Sequence, residues 1–213
     1  QSLEDHLRQA ANFLINPSID AVVAGSLKRT ENVLWQQTRI VDRTIVHPNY
    51  NDSTMDNDLS LLFLSEPFVF NDNISSIALP SVGVETYHHS VILPGWGNVQ
   101  YFEPLSEDLQ YVFLKTYNDS HCEELVGQYV RPEILCVGWD QGGFGGCQGD
   151  AGSPLVGVGH PTYISAVYSH FPCPQPDCCG IPGPTGQCTE LTYYVEWIFE
   201  QSNLYGGGLK SGE

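Results

Sequence analysis

The stretch from Gly142 to Val156 is the part of this chain best suited to hold a reacting group. It reads Gly-Gly-Phe-Gly-Gly-Cys-Gln-Gly-Asp-Ala-Gly-Ser-Pro-Leu-Val, so a glycine-rich turning loop leads directly into an apolar strand. Such a loop lets backbone N–H groups converge on one point, which is how proteins hold an anion or an oxyanion. The residue after Asp150 is Ala151, and a methyl group cannot attack a carbonyl. The loop therefore predicts oxyanion binding without a nucleophile.

The same stretch resembles the nucleophile loop of chymotrypsin-like serine proteases, which reads Cys-Gln-Gly-Asp-Ser-Gly-Gly-Pro-Leu-Val. Ala151 stands at the serine position of that motif, and Ser153 stands at its second glycine. The resemblance covers nearly the whole chain, and it implies an all-β fold of two six-stranded antiparallel barrels, an active-site cleft between them and a C-terminal α-helix. Other landmarks of the family occur in the family's order, at residues 21–25, 45–51, 56–59, 95–97 and 194–198.

The resemblance also divides the chain into parts of a single protease domain. The N-terminal barrel is expected at about residues 1–95, the C-terminal barrel and helix at about 96–205, and a tail at 206–213. Because Gln1-Ser2-Leu3 matches a strand inside the first barrel, that barrel is expected to lack its N-terminal strands. The residues favour the same class on their own, since short β-branched segments alternate with Gly and Pro.

Catalysis in this family needs a serine, a histidine that takes its proton and an aspartate that orients the histidine. By the resemblance, Asp58 is the retained aspartate. The histidine motif Thr-Ala-Ala-His-Cys matches Gln9-Ala10-Ala11-Asn12-Phe13, so Asn12 replaces the general base. An amide has no useful proton affinity near neutral pH. With Ala151 in place of the serine, two of the three triad members are missing.

These two losses predict a natural, catalytically inactive homologue. Removing either the nucleophile or the base from subtilisin's triad costs about six orders of magnitude in turnover. One alternative is a trypsin-like endopeptidase inactivated by an engineered Ser-to-Ala change at Ala151, although that change does not account for Asn12. Another alternative is a small-ligand carrier or structural subunit built on the protease fold.

The parts that support catalysis in the family are partly kept. Gly149 and Ala151 are expected to present the N–H groups of an oxyanion hole, because that feature depends on the backbone alone. Asp150 matches the buried aspartate that pairs with a newly freed N-terminal amine in active members. The family's Ile-Val-Gly-Gly start does not occur in this sequence. Asp150 is therefore expected to have a different partner, or to meet a separate chain released by cleavage.

The primary specificity pocket differs from that of trypsins. Gly145 stands at the position that carries aspartate in trypsins, so the pocket has no negative charge there to pair with a Lys or Arg side chain of a substrate. Tyr168 belongs to Tyr168-Ser169-His170, which matches the substrate-pairing Ser-Trp-Gly strand, and it is expected to fill the cleft. Gly186 and Cys188 complete the pocket, with Cys188 near the back wall where the family usually has tyrosine.

All seven cysteines lie in the second half of the chain. The resemblance implies two disulfides, Cys122–Cys136 and Cys147–Cys173. The remaining three cysteines lie in an extended Pro- and Gly-rich loop unlike the family's, where Cys188 is expected to bond to Cys178 or Cys179. One cysteine is then left over, either free or joined to another chain, and an odd cysteine in a secreted protein indicates intermolecular pairing.

Cysteines of this kind, together with three Asn-X-Ser sequons, predict a secreted, oxidised glycoprotein. The acceptor residues are Asn51, Asn73 and Asn118. We expect a processed chain without a signal peptide or a fragment of one, and no apolar run in the sequence approaches the length needed to span a membrane.

The charge of the chain argues against several classes of partner. The net charge is −17, and no Lys or Arg occurs between Arg43 and Lys115 or between Arg131 and Lys210. Nucleic acid and anionic membrane surfaces are therefore excluded. No cofactor or metal is expected, since the adjacent His88 and His89 would point to opposite faces of a strand. A protein partner is expected, either a cleaved N-terminal chain or a disulfide-linked subunit, with the chain acting as a cascade cofactor or decoy.

Overall fold

The computed structural model describes residues 20–84, 90–100, 103–127, 129–158, 162–171, 179–180 and 182–205. Within these residues the chain forms a three-stranded sheet, a closed six-stranded barrel, two α-helices and a short 3-10 turn at Leu191–Tyr193. The strands are β1 Ala21–Ala24, β2 Gln37–Val46, β3 Ser60–Leu64, β4 Ser90–Gly95, β5 Gln110–Tyr117, β6 Ile134–Trp139, β7 Pro154–Gly157, β8 Ile164–His170 and β9 Gly183–Glu190; the helices are α1 Asp119–Val126 and α2 Val195–Tyr205.

The first sheet has the order β1-β2-β3, and both of its strand pairs are antiparallel. Val22 of β1 pairs with Arg39 of β2, and Ile45 of β2 pairs with Leu61 of β3. The β2–β3 register shifts between Val41 and Arg43, which marks a bulge. The sheet carries Asp58 in the turn immediately before β3.

The second sheet closes on itself in the order β4-β5-β6-β9-β8-β7, because β4 pairs with both β5 and β7. A closed barrel leaves no unpaired strand edge. The expectation of a closed six-stranded barrel in an all-β fold is therefore confirmed. The barrel begins with β4 at Ser90, a few residues before the division expected near residue 95.

β9 lies in a segment that the sequence presents as a Pro- and Gly-rich loop, yet it pairs with β6 on one side and β8 on the other. Gly186 explains part of this composition. A Cβ atom there would lie 2.6 Å from Cε2 of Tyr168 and 2.8 Å from Cγ2 of Val137, so the strand passes where a side chain has no room.

Two apolar clusters fix the positions of the strands. The interior of the barrel is filled by Val91, Leu93, Leu114, Leu135, Val137, Leu155, Ala166, Tyr168 and Cys188. A second cluster joins the residue before β3 to the outside of the barrel and to α2; it contains Leu59, Ile164, Val167, Leu191, Tyr194 and Ile198. Burial of these side chains holds the first sheet against the barrel.

The C-terminal helix α2 begins at Val195, and its residues Val195 and Ile198 are buried. Its predicted position is confirmed. Among the described residues, neither this helix nor α1 has the length and apolar character that a membrane crossing requires.

The disulfide pattern differs from the expected one at Cys147. Cys122 is bonded to Cys136, the pair that the resemblance implies, with 6.1 Å between the Cα atoms. Cys147 is bonded to Cys179 instead of Cys173, at a Cα separation of 5.0 Å. The Gly143 N–H donates to the Gly180 carbonyl, so the loop that carries Cys179 is held beside the loop that carries Cys147.

The expectation that Cys188 bonds to Cys178 or Cys179 is wrong. Cys188 has a free thiol and is completely buried. It lies opposite Tyr168 in the β8–β9 ladder, and its side chain belongs to the interior of the barrel. A thiol in that position is shielded from the loop cysteines. Cys173 and Cys178 lie outside the described residues.

Candidate functional site

Asp58 is held rigidly where the first sheet meets the barrel. Its side chain is buried, with 7% of the residue exposed. The Thr189 hydroxyl donates to the Asp58 carbonyl at 2.9 Å, which ties the turn to β9. Asn57 adopts a φ of 54°, a left-handed conformation that asparagine tolerates, and its Oδ1 accepts a hydrogen bond from the Tyr194 hydroxyl at 3.0 Å. Both ends of the turn are therefore fixed.

The carboxylate of Asp58 is coupled to two polar residues of β8. The Ser169 hydroxyl donates to Asp58 Oδ2 at 2.6 Å, and the hydroxyl oxygen of Ser169 lies 3.0 Å from Nδ1 of His170. Because the Ser169 proton is used on Asp58, its oxygen accepts from His170, which places the imidazole proton on Nδ1. The three side chains form one hydrogen-bonded chain.

Burial governs the protonation states of Asp58 and His170. It raises the pKa of Asp58, while the Ser169 hydroxyl and then His170 act in the opposite direction. Burial also lowers the pKa of His170, against the pull of Asp58. At neutral pH His170 is a neutral imidazole that hydrogen-bonds to Asp58 only through Ser169. Sequence reasoning quoted Ser169 and His170 for their place in the strand but missed this coupling; the match of Ser169 to the serine of Ser-Trp-Gly was the available signal.

The loop from Cys147 to Ser153 is folded by its own backbone. Gly149 and Gly152 have φ values of 96° and 88°, which favour glycine. The Asp150 N–H donates to the Cys147 carbonyl and the Ser153 N–H to the Asp150 carbonyl, at 3.1 and 2.9 Å. These turns reverse the chain twice within seven residues. Of the two residues between the glycines, Asp150 is buried and Ala151 is exposed.

Two backbone hydrogen bonds connect the same loop to β8. The Gly152 N–H donates to the Tyr168 carbonyl at 2.7 Å, and the Tyr168 N–H donates to the Ser153 carbonyl at 2.8 Å. Tyr168 bonds to this loop and the next residue, Ser169, bonds to Asp58. Two adjacent residues of β8 therefore connect Asp58 to the loop that carries Ala151. The structure thus brings the retained aspartate and the alanine position to the same region.

Asp150 is buried beneath the loop, with 9% of the residue exposed. Its Oδ1 accepts from the Gly97 N–H and its Oδ2 from the Cys147 N–H, both at 2.9 Å. A Cβ atom on Gly97 would lie 2.4 Å from Asp150 Cγ, so glycine is needed for this approach. Burial raises the pKa of Asp150, and the two N–H groups partly offset it. No Lys or Arg among the described residues pairs with this carboxylate.

The backbone at the tip of the loop remains available to a ligand. Neither the Gly149 nor the Ala151 N–H donates a hydrogen bond to another described residue. Both residues are exposed. Two exposed N–H groups close together can donate hydrogen bonds to an anionic or carbonyl oxygen. The side chain of Ala151, a methyl group, offers neither a proton nor a lone pair.

The residues assigned to the specificity pocket are divided between two places. Tyr168, Gly186 and Cys188 lie together inside the barrel, where Tyr168 is 1% exposed. Gly145 instead lines a cleft of about 290 Å³ that also contains Asp150 and the Cys147–Cys179 disulfide. The tyrosine ring lies beside Gly186, because a Cβ atom there would be 2.6 Å from Cε2 of Tyr168.

The structure describes some, but not all, of the other residues predicted to be functional. Asn12 lies outside the described residues. Asn51 is exposed, and its Oδ1 accepts the Ser53 N–H at 3.0 Å. Asn73 is half-buried, whereas Asn118 caps α1 by accepting the His121 N–H at 2.9 Å. Glycosylation of these residues stays a prediction.

The described residues contain no group of three or more His, Cys, Asp or Glu side chains arranged to hold a metal ion. The site is made of two buried carboxylates, a hydroxyl, an imidazole and a loop of exposed N–H groups. These groups can bind and orient a polar ligand.

Comparison with known proteins gives consistent matches over most of the chain. A family model described as Trypsin matches residues 9–198. The chain is 36% identical over 185 residues to Trypsin-1 of Astacus astacus, a match that covers 86% of this chain and 76% of that protein. It is 32% identical over 162 residues to trypsin of Squalus acanthias, covering 75% and 67% of the two chains.

Proposed function

The chain belongs to the trypsin family of serine proteases, and we propose that it is a non-catalytic member that acts by binding or regulating other proteins. The observation that carries this proposal is Ala151. The loop around it keeps its turns, its exposed N–H groups and its attachment to β8, and Asp58 keeps a hydrogen-bonded place nearby. The loop keeps these features although Ala151 supplies no nucleophilic atom.

The chemistry of acyl transfer explains why this loss matters. An acyl-enzyme forms only if a hydroxyl attacks the substrate carbonyl and a base takes its proton. Ala151 has no hydroxyl, and the resemblance of residues 9–13 to the family's histidine motif implies Asn12 at the position of the base. Oxyanion stabilisation and substrate binding alone leave about 10³–10⁴-fold acceleration over water, far below protease rates.

His170 does not replace the missing base. Its Nδ1 is committed to Ser169, so only Nε2 is free to accept a proton. Burial lowers the pKa of His170, which weakens it as a base. No hydroxyl nucleophile stands at position 151 for it to activate. We therefore assign Asp58, Ser169 and His170 to holding the shape of the cleft.

Several features favour a role in binding, outside the cell. Tyr168, which the resemblance assigns to the specificity pocket, is buried with its ring beside Gly146 and Gly186, and this supports a pocket closed to substrate side chains. The chain carries two disulfides and three glycosylation sequons, the composition of a secreted protein. Its net charge of −17 favours a basic protein surface as partner.

The proposal is tested by restoring the missing groups one at a time. The purified chain, the A151S variant and the A151S/N12H variant are incubated with a fluorophosphonate probe and with chromogenic peptides, beside an active trypsin. We expect no labelling and no hydrolysis with the chain itself or with A151S. Robust labelling and turnover of A151S would show a working protease that lacks only its serine, and the proposal would fail.

A further inference from the structure

A polar groove lies on the barrel where β5 ends and α1 begins. Its volume is about 550 Å³, and its lining includes Ser90, Lys115, Tyr117, Asn118, His121 and Asp140. It shares no lining residue with the cleft beside Asp150. The groove is therefore separate from the candidate functional site, and the proposed function makes no use of it.

Fixed hydrogen-bonding groups line the groove. The Tyr117 hydroxyl donates to Asp140 Oδ1 at 2.6 Å, and Lys115 Nζ donates to Asp140 Oδ2 at 2.9 Å. The side chains of Lys115 and Asp140 are 46% and 55% exposed. An ammonium group has three donors and a carboxylate accepts about four hydrogen bonds, so both groups have unused capacity. They can hold a ligand that is rich in hydroxyl groups.

A stacked pair of rings lies beside these polar groups. The imidazole of His121 lies on the phenol ring of Tyr117, with 5.2 Å between the ring centroids and 25° between the planes. Tyr117 is buried, whereas the side chain of His121 is 46% exposed and lines the groove. Aromatic rings with a few placed polar groups are the usual lining of a small-molecule site. A sugar ring suits both, because its face carries C–H bonds and its edge carries hydroxyls.

Asn118 places a sugar acceptor at this groove. It begins the sequon Asn118-Asp119-Ser120. Its Oδ1 accepts the His121 N–H at 2.9 Å and so caps α1. The cap uses only the amide oxygen, whereas an N-linked sugar bonds to Nδ2. Asn118 can therefore carry a sugar without losing its role as a cap.

We propose that this groove is the binding site for the first sugar of an N-linked glycan on Asn118, an N-acetylhexosamine. The sugar ring packs on His121, and its hydroxyl and acetamide groups hydrogen-bond to Lys115 and Asp140. The glycan then belongs to the folded surface and stabilises the junction of β5 and α1. The inference rests on the part of the proposed function that puts the chain outside the cell, and it goes further by giving one sequon a structural role.

The sugar is transferred from a lipid-linked oligosaccharide pyrophosphate, which the secretory compartment of a eukaryotic cell supplies. Asn118 Nδ2 forms a bond to C1 of the sugar, and the bond from C1 to the pyrophosphate oxygen breaks. Nδ2 loses one of its two protons, and the lipid pyrophosphate leaves with the electron pair of the broken bond. The amide oxygen still accepts the His121 N–H.

The first test determines whether Asn118 carries a glycan, by glycopeptide mass spectrometry of the chain exported from a eukaryotic host. For melting experiments the sequons at Asn51 and Asn73 are removed by S53A and S75A. The matched variant is S120A, which removes the third sequon but keeps Asn118 as the cap. The same proteins made without glycan in a bacterial host give the baseline. We expect the glycan to raise Tm by about 2–4 °C, the shift that one net hydrogen bond gives in a chain of this size.

Two further comparisons assign this increase in Tm to the first sugar and to the groove. Trimming with endoglycosidase H leaves one N-acetylglucosamine on Asn118, and the trimmed protein should keep the full increase. H121A removes the imidazole but keeps the backbone N–H, and it should reduce the increase to less than half. E124A is the matched control and should leave the increase unchanged, because Glu124 lies 3.8 Å from His121 Nδ1 and outside the lining of the groove. A general loss of stability cancels, since each background is measured with and without the glycan.

Three results would overturn the inference. One is an unmodified Asn118 in the exported chain, even where Asn51 or Asn73 carries a sugar. Another is a trimmed protein that melts with S120A. The third is an equal increase in Tm in H121A and in the unchanged background. Each would leave the non-catalytic role standing, because that proposal fails on a different measurement, the labelling and turnover of A151S.

Discussion

Replacing Asp150 with alanine is expected to destabilise the fold, because its carboxylate accepts two buried backbone hydrogen bonds. The donors are the N–H groups of Gly97 and Cys147, each 2.9 Å from a carboxylate oxygen. A hydrogen bond to a charged group contributes about 1.5–3 kcal/mol, so the two together contribute about 3–6 kcal/mol. Burial of the charge opposes this, as the raised pKa of Asp150 indicates. We expect a net loss of about 2–4 kcal/mol in the free energy of unfolding.

The D150N variant separates the hydrogen bonds from the charge. The asparagine carbonyl can accept one N–H, while its NH2 group faces the other, so we expect roughly half the loss of D150A. The difference in the free energy of unfolding between D150N and the unchanged chain should become smaller as pH rises. Asp150 has a raised pKa in the folded state, so the folded chain binds more protons than the unfolded chain above the ordinary value of 3.8. Stability then declines as pH rises through the folded pKa, and asparagine lacks this decline.

The assay is urea unfolding followed by tryptophan fluorescence and far-UV circular dichroism, at about pH 4 and about pH 7. The slope of the free energy against urea should be the same for all three proteins, so that the midpoints compare directly. A D150A protein within about 0.5 kcal/mol of the unchanged chain would refute the reasoning, since surface substitutions have effects of that size. Equal losses for D150A and D150N would also refute it.

Two further predictions concern Asp58 and α1. S169A removes the hydrogen bond to Asp58 Oδ2 and should raise the pKa of Asp58 further, at a cost of about 1.5–3 kcal/mol. A raised carboxyl pKa makes stability decline with rising pH, so the fall in urea midpoint caused by S169A should be larger at about pH 7 than at about pH 4. An equal fall at both pH values would contradict the hydrogen bond from Ser169 to Asp58. N118A removes the cap of α1 and should cost about 1 kcal/mol in the same assay. N118S removes the sequon equally but keeps a capping oxygen, so a loss as large as that of N118A would disprove the capping role.

Much of the fold was predictable because its signals are local. Short β-branched segments separated by Gly and Pro predicted an all-β fold, and the landmark at residues 194–198 lies at the start of α2. The closed barrel came from the resemblance, since pairing between distant strands such as β4 and β7 leaves no mark in either segment alone. Ordered landmarks supplied the topology that local patterns lack.

The parts that sequence reasoning missed depend on contacts across the fold. β9 contains Gly and Pro, and its strand conformation follows from pairing on both sides and from the space taken by the Tyr168 ring. The partner of Cys147 is chosen by the approach of two loops, which spacing along the chain does not reveal. The coupling of Ser169 and His170 to Asp58 joins residues more than a hundred positions apart.

The central claim is that this trypsin-family chain retains the loop of a protease but not its chemistry. The most direct test is active-site titration of A151S with a fluorophosphonate, which counts every serine that an adjacent base activates. We predict no stoichiometric labelling of A151S under conditions in which trypsin is fully labelled. Complete labelling of A151S, with Asn12 unchanged, would contradict the claim.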